Sequence, residues 1–382
     1  MQILLVGEYS RLHNTLKEGL IALGHEVILV GNGDGFKNYP VDYSIEAKWC
    51  NSMLLNIPRQ ILFKLSNFDY AKIEIAIRFH LLSNKLKCFD VVQLINESPI
   101  QTIKSIEKSF LKKLVKNNKK FFVLSTGVDY LNVKFWFENK NERSILQPFF
   151  KDASLEKAFR YILKYRTNKY KRLHDFVYEH CDGVIATDID YWIPLQGNSK
   201  FLGLIPNPVN CNNLVFEELK TDGTVVLFLG INRWSYHQKG IAHFEKALAS
   251  IKEKYGNKVE IIIAQNIPYS EYINLYNKSH IVLDQMHGHD QGYNALEAMA
   301  KGKVVFTNAS NQFEKYYNLT EKVAIHALPD VDYLVKELSF LIENPSEIET
   351  IGKRARAFIE KEHDYIKVAE KYMATWNSKT TF

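Results

Sequence analysis

The chain predicts an α/β protein built as two parallel-sheet domains, and three observations carry that prediction. Short, nearly uninterrupted apolar runs recur along all 382 residues, amphipathic stretches with short connections alternate with them, and a proline-containing segment divides the series in two. Apolar runs of roughly four to eight residues mark strands buried on both faces, and alternation with helices makes the sheet parallel.

The first run is ILLV, followed by Gly7, Glu8 and a polar turn. TLKEGLIALG then has apolar positions at helical spacing, Gly24 ends it, and HEVILVG returns as a strand. The loop carrying Gly7 and His13 therefore falls at the carboxyl end of the first strand, where open sheets place ligands. FDVVQLI at 89–95, KFFVLSTG at 120–127 and DGVIATD at 182–188 continue the series. SIEKSFLKKLVKNN reads as an amphipathic helix and EKAFRYILKYRTNKYKRLHDFVYEHC as one long helix. Their apolar and aromatic positions suit a sheet face, and their lysines are either a solvated face or a contact for an anionic membrane.

GLIPNPVNCNN breaks the pattern, because Pro206 and Pro208 suit neither a continuous helix nor a central strand. Beyond it VVLFLG at 225–230, VEIIIAQ at 259–265, HIVLDQ at 280–285 and KVVFTN at 303–308 form a second set. The expected division is an amino-terminal domain over 1–206 and a carboxyl-terminal domain over 207–363, with a cleft between them.

Hydrophobic residues at 46% and charged residues at 24% describe a folded chain rather than a disordered one. Forty-nine Lys and Arg against 43 Asp and Glu give +6, which suits a phosphate-bearing partner and is too little to point to nucleic acid. Cys50, Cys88, Cys181 and Cys211 lack paired spacing and read as reduced thiols of a cytoplasmic protein. MQILLVGEYS has neither a basic leader nor a membrane-length apolar run. His287, His289, Asp284 and Asp290 make only a weak metal pattern, so no metal is expected. No serine nucleophile elbow is present, and the stretch Gly7 to Arg11 lacks the later glycines of a dinucleotide fingerprint.

HGHDQGYNALEAMAKG at 287–302 concentrates the candidate chemistry. Read alone, Gly292 relieves a backbone constraint, Asn294 caps a helix and Glu297 reaches back in a capping box. The other reading gives the same turn to an anionic ligand, with Glu297 gripping a pair of sugar hydroxyls.

These motifs, in this order, resemble the retaining glycosyltransferases of family 4. The glycine-containing first loop, GHEVILV, the IPNPV link, LFLGINRWSYHQKG and GYNALEAMAKGKVV carry the resemblance. It implies the B-type glycosyltransferase fold (GT-B), two Rossmann-like domains facing a deep interdomain cleft. The carboxyl-terminal domain would hold a UDP- or GDP-sugar donor, with no tightly bound cofactor. The amino-terminal domain would present a glycan or lipid-linked glycan acceptor, in bacterial cell-surface polysaccharide or lipopolysaccharide synthesis. The same resemblance packs 364–382, with EHDYIKVAEKYMATWNS, back onto the first domain.

Residue by residue, the resemblance assigns Arg233 and Lys239 to the diphosphate and Glu297 to the nucleotide ribose. Gly230, Asn266, Gly292, Tyr293 and Asn294 complete the donor side. Where the family has a first glutamate this chain has His289, with Asp290 beside it as the rival; the other reading of His289 is a loop histidine exposed to water. The glycine loop at Gly7 falls close to the donor, and its surroundings, with His13, also face the acceptor; Asp129 in STGVDY falls near the acceptor, while QLINESPI lacks the family's histidine. The alternatives are a nucleotide-sugar epimerase or hydrolase and a noncatalytic nucleotide-sugar binder. A location on the inner face of the cytoplasmic membrane, as a peripheral protein, goes with the anionic-membrane reading of the lysines.

Overall fold

Two parallel sheets carry the architecture, each in its own unit of the chain, in a computed structural model that describes residues 1–66, 68–220, 223–265, 267 and 269–378. The first unit comprises Met1–Phe135, Ile162–Pro208 and the chain from Tyr365 on; the second comprises Trp136–Tyr161 and Val209–Asp364.

Among the described residues the first unit has seven strands: β1 (Gln2–Val6), β2 (Glu26–Gly31), β3 (Tyr43–Ser44), β4 (Val91–Leu94), β5 (Lys120–Ser125), β6 (Gly183–Ala186) and β7 (Phe201–Leu204). Their order is β3-β2-β1-β4-β5-β6-β7, every pairing parallel. The strand order reverses between β1 and β4, the topological position at which open α/β sheets leave a crevice. The second unit has β8 (Val225–Ile231), β9 (Val259–Gln265), β10 (Ile281–Leu283), β11 (Val304–Thr307) and β12 (Ile325–His326), in the parallel order β12-β11-β10-β8-β9, with its reversal between β8 and β10. The α/β fold class of two parallel-sheet units is as the sequence predicts.

The apolar runs become strands because both faces are covered. Leu4 and Val6 of β1 bury against Val92 and Leu94 of β4 and the helices beyond them. Leu227 and Leu229 of β8 bury with Phe244 and Leu248 of the helix Ile241–Tyr255. In the helix Lys104–Asn117, Phe110, Leu111 and Leu114 face the core while Lys108, Lys112 and Lys113 are exposed.

One predicted element is corrected. The single long helix over 156–181 is two helices, Glu156–Leu163 and Asn168–His180, separated by the tight turn Lys164–Arg166 and by Thr167, whose backbone is extended at φ −77 and ψ 149. A residue in that conformation cannot continue the helical ladder. One of the boundaries between the two units falls nearby, between Tyr161 and Ile162 in the last turn of the first of these helices.

The helix Tyr365–Ser378 completes the first unit. Trp376 is fully buried, its indole N–H donates to the Gln93 amide oxygen of β4 at 3.1 Å, and its carbonyl accepts from Lys120 at 2.6 Å. Against it lies the helix Leu12–Ala22, at Gly19, where a β-carbon would fall 2.3 Å from the Tyr365 carbonyl oxygen. Backbone on one side cannot yield, so Gly19→Val is expected to destabilise the protein by about 2–3 kcal/mol. Chemical denaturation reads this; an unchanged midpoint would refute the close docking of the two helices. Among the described residues no helix is long and apolar enough to cross a membrane.

Candidate functional site

The carboxyl ends of β8, β10 and β11 in the second unit gather most of the predicted donor-side residues. Gly230 is the penultimate residue of β8, and a β-carbon there would meet the Tyr272 hydroxyl at 2.9 Å, so its smallness serves packing. Just past the strand, Arg233 opens the turn Arg233–Ser235, is exposed, donates to the Gln265 amide oxygen at 2.7 Å and stacks 5.2 Å from the Tyr236 ring. Lys239 ends the short helix Tyr236–Lys239, which stops at Gly240 with φ +70. A side chain on Gly240 would be strained in that left-handed conformation and would strike Met286 at 2.5 Å, so glycine brings the lysine close to the end of β10.

Asp284, the first residue after β10, organises the centre. Its Oδ1 accepts from Lys239 at 2.7 Å and from the Asn294 amide at 3.1 Å, while Oδ2 accepts from Thr307 at 3.4 Å. Its side chain is 1% exposed against 28% for Lys239, so a buried carboxylate holds an ammonium whose other side reaches solvent. In the sequence Asp284 stands out only in a weak metal pattern, because partners 10, 23 and 45 residues away leave no local signal. Among the described residues, no three of His, Cys, Asp and Glu gather where they could hold a metal ion.

The helix Tyr293–Ala300 corrects the capping-box expectation. Its N-cap is Gly292, whose carbonyl accepts from Ala295 and Leu296, and Asn294 lies inside the first turn with its amide committed to Asp284. Gly292 has φ −84, and a β-carbon there would make only an ordinary contact with the Gln285 side chain at 3.9 Å, so it relieves no backbone constraint. Tyr293 and Glu297 are half-buried on the same helix.

His289 is 1% exposed, which removes the solvent-exposed alternative. Its Nε2 lies 2.9 Å from the Glu142 carboxylate and its Nδ1 lies 3.1 Å from the Ser310 hydroxyl. Both ring nitrogens thus have protein partners, and the loop is held further by Arg143, which donates to the Gly288 and Met286 carbonyls at 3.1 and 3.0 Å. The neighbouring His287 is held down to about 4 by burial and by nearby positive charge, and stays neutral. Asp290 accepts from the Gln291 backbone at 2.7 Å. Gln291 donates to the Asn308 carbonyl at 2.8 Å, and the amide oxygens of Gln291 and Asn308 are buried with no hydrogen-bond partner. Glu142, Arg143, Gln291 and Asn308 were not read as site residues from the sequence. Asn266 lies outside the described residues.

In the first unit the loops after β1, β4 and β5 carry a separate set. Gly7 has φ +89, and a β-carbon there would overlap Ile95 at 2.2 Å, so only glycine lets the loops after β1 and β4 meet. His13 Nδ1 lies 2.7 Å from the Gly7 carbonyl. A carbonyl only accepts, so Nδ1 carries the proton and Nε2, buried and without a partner, is a bare acceptor. Burial holds the imidazole down to about 3. Glu8 accepts from the Asn14 backbone and side chain at 2.9 and 2.6 Å through one oxygen, leaves the other buried and unpartnered, and is pushed by burial up to about 7.

Asp129 is buried and caps the start of the helix Tyr130–Glu138, accepting from the Asn132 backbone at 2.7 Å and from Ser125 at 2.8 Å. Burial and then the adjacent negative charge of Glu97 push it up to about 6. Glu97, in the stretch that lacks the family's histidine, instead meets His174 at 2.8 Å. Burial alone would lower His174; the Glu97 contact outweighs it and raises its pKa.

Residues 229–374 match a protein-family model described as glycosyl transferase-like. No curated protein sequence matches the chain significantly. Among solved structures, the chain is similar to sucrose-phosphate synthase from Thermosynechococcus elongatus (16% identity, 99% of this chain and 98% of that one, TM-score 0.62). It is also similar to the Anabaena protein HepE in complex with UDP-glucose (13%, 99% and 100%, 0.59) and to a Listeria monocytogenes protein described as a putative UDP-N-acetylglucosamine 2-epimerase (9%, 98% and 94%, 0.53). The chain has the GT-B fold, and its carboxyl-terminal part is similar to the glycosyl transferase-like family.

Proposed function

We propose that the protein is a retaining glycosyltransferase of the family 4 type, moving a sugar from a UDP- or GDP-sugar to a glycan or lipid-linked glycan acceptor in cell-surface polysaccharide synthesis. The observation that carries this reading is the convergence of Lys239 with Asp284, 45 residues further along the chain, and with Asn294, 10 residues beyond that, at the strand-order reversal of the second sheet. In this reading Arg233 and Lys239 take the charge that develops on the departing diphosphate, without a metal. Glu297 accepts from the ribose hydroxyls, and the unpartnered oxygens of Gln291 and Asn308 accept from the transferred sugar. His289 positions the loop, held by Glu142 and Ser310, rather than touching the reacting atoms. Gly7, His13 and Asp129 belong to the acceptor side, and an anionic membrane surface is the further partner.

The fold relative HepE, whose structure is complexed with UDP-glucose, supports a nucleotide-sugar donor. A donor-plus-acceptor screen read by mass spectrometry and product stereochemistry tests the whole reading: a transferred sugar of retained configuration supports it, and an inverted product overturns the retaining part. One observation favours a second reading, a nucleotide-sugar epimerase: Glu8, pushed to about 7, is poised for proton transfer, and the fold is shared with an epimerase. Interconverted or hydrolysed donor without transfer, over a broad acceptor set, would select that class.

Glu297→Gln keeps the size of the side chain and removes its charge. It is expected to weaken nucleotide binding about tenfold while leaving the helix intact. Calorimetry with UDP and GDP reads this, and equal affinities for both proteins would return Glu297 to a structural role.

A further inference from the structure

The helix Met53–Ser66 is inverted. Every one of its 14 residues is described and none is buried; the two that are half-buried are both polar, Asn56 and Arg59. Arg59 is the anchor, gripping both oxygens of Asp69 at 2.7 Å and the Asn51 side chain. At about 100° per residue, Met53, Leu54, Leu55, Ile57, Ile61, Leu62 and Leu65 share an arc of about 200° that also holds Pro58 and Lys64, while Phe63, itself exposed, lies between Asn56 and Arg59 on the other side. That arc faces outward, with Met53, Leu54 and Leu65 exposed at 92, 86 and 79%. The next helix, Ala71–Leu82, adds an exposed stripe at i, i+4 and i+8: Ile73, Ile77 and Leu81. Water alone gives no reason to turn Asn56 and Arg59 to the protein and seven aliphatic side chains outward, and an exposed apolar area of this kind marks an interaction surface.

Charge chooses the occupant. The helix Met53–Ser66 contains no acid, and residues 53–87 carry Arg59, Lys64, Lys72, Arg78, Lys85 and Lys87 against only Asp69 and Glu74. Both acids are already paired, with Arg59 and Arg78, so the segment presents an excess of positive charge, with Lys64, Lys85 and Lys87 exposed. Two copies of so basic a surface would repel each other. An apolar helix with a basic margin suits the headgroup boundary of an anionic bilayer, where leucines enter the acyl region and lysines stay with the phosphates. At about 1.5 Å per residue the helix is some 20 Å long, too short to span and suited to lie in the plane.

We propose that the helix Met53–Ser66, flanked by the Ile73–Leu81 stripe, is the surface by which this protein docks on an anionic lipid membrane, an inference that rests on the membrane part of the proposed function and replaces the basic helices as its contact. The test is co-sedimentation of the full chain with phosphatidylcholine vesicles and with phosphatidylcholine–phosphatidylglycerol vesicles. Leu54→Gln/Leu65→Gln changes two exposed positions without adding charge, and Lys112→Ser/Lys113→Ser samples the basic helix Lys104–Asn117. The expected result is association with the anionic vesicles, weakened about tenfold per leucine removed and little affected by the lysine pair. Association that depends on the lysine pair and not on the leucines would overturn the surface while sparing the membrane reading. No association with either vesicle would overturn both. A native dimer by light scattering that Leu54→Gln/Leu65→Gln makes monomeric would assign the face to a second copy instead. Sugar transfer to a soluble acceptor, measured on the same variants, stands or falls independently of all these outcomes.

Discussion

Arg233→Ala is expected to lower sugar transfer about a hundredfold and to leave the unfolding free energy within about 0.5 kcal/mol of the native value. The guanidinium is exposed, and its partners are the side chain of Gln265 and the ring of Tyr236, both of which water can satisfy after its removal. Its stabilising work in the fold is small, whereas a fixed cation beside a departing diphosphate acts on the transition state. Lys239→Ala should cost as much activity and, in contrast, about 2–3 kcal/mol of stability, because it strands the buried Asp284 carboxylate. The double variant Lys239→Ala/Asp284→Asn removes that charge and is expected to regain stability without regaining transfer. Full transfer by Arg233→Ala would remove the diphosphate assignment.

Glu8→Gln is expected to stabilise the protein by up to about 3 kcal/mol above neutral pH and by almost nothing near pH 4. The carboxyl titrates at about 7 in the fold because burial disfavours its charge, and near its usual carboxylate value when the chain unfolds. Below the unfolded pKa both states are protonated and the group costs nothing. As pH rises toward 7 the unfolded chain ionises first and the native state loses its advantage, a loss complete above the folded pKa. Glutamine keeps the acceptor oxygen that Asn14 uses and cannot ionise. Denaturation curves for both proteins from pH 4 to pH 8.5 measure the difference; a gain independent of pH, or a loss, would reject the buried-carboxyl account.

The sheets were legible because strands buried on both faces are written as continuous apolar runs, ILLV and VVLFLG among them. The edge strands β3, β7 and β12 were not, since strands such as Tyr43–Ser44 and Ile325–His326 are too short to build a pattern. Phe137, Phe149, Phe150 and Phe159 pack on one another within 136–161, and nothing local in those residues says which sheet they accompany. The same limit applied at the site. Arg233, Lys239 and Glu297 stand in recognisable order, whereas the partners that orient the neighbourhood come from far away: Asp284 lies 45 residues from Lys239, and Glu142 lies 147 from His289. Side-chain pairing across such separations is fixed by three-dimensional packing, on which spacing is silent. The burial of His289, which decides between its two readings, is likewise set by residues far away in the chain.

Because Trp376 and its helix close the first unit on Gln93 and Gly19, biosynthesis has to wait for them. The last strand of that sheet ends at Leu204, and the closing helix starts at Tyr365. A ribosome adding about 5–20 residues per second needs roughly 10–30 s to cover the interval. Throughout it the face that Trp376 will occupy has nothing to cover it, while residues 205–364 emerge. The chain is thus exposed to chaperone capture and to aggregation for a period set by its own topology, and a stop codon just before Tyr365 would make that period permanent.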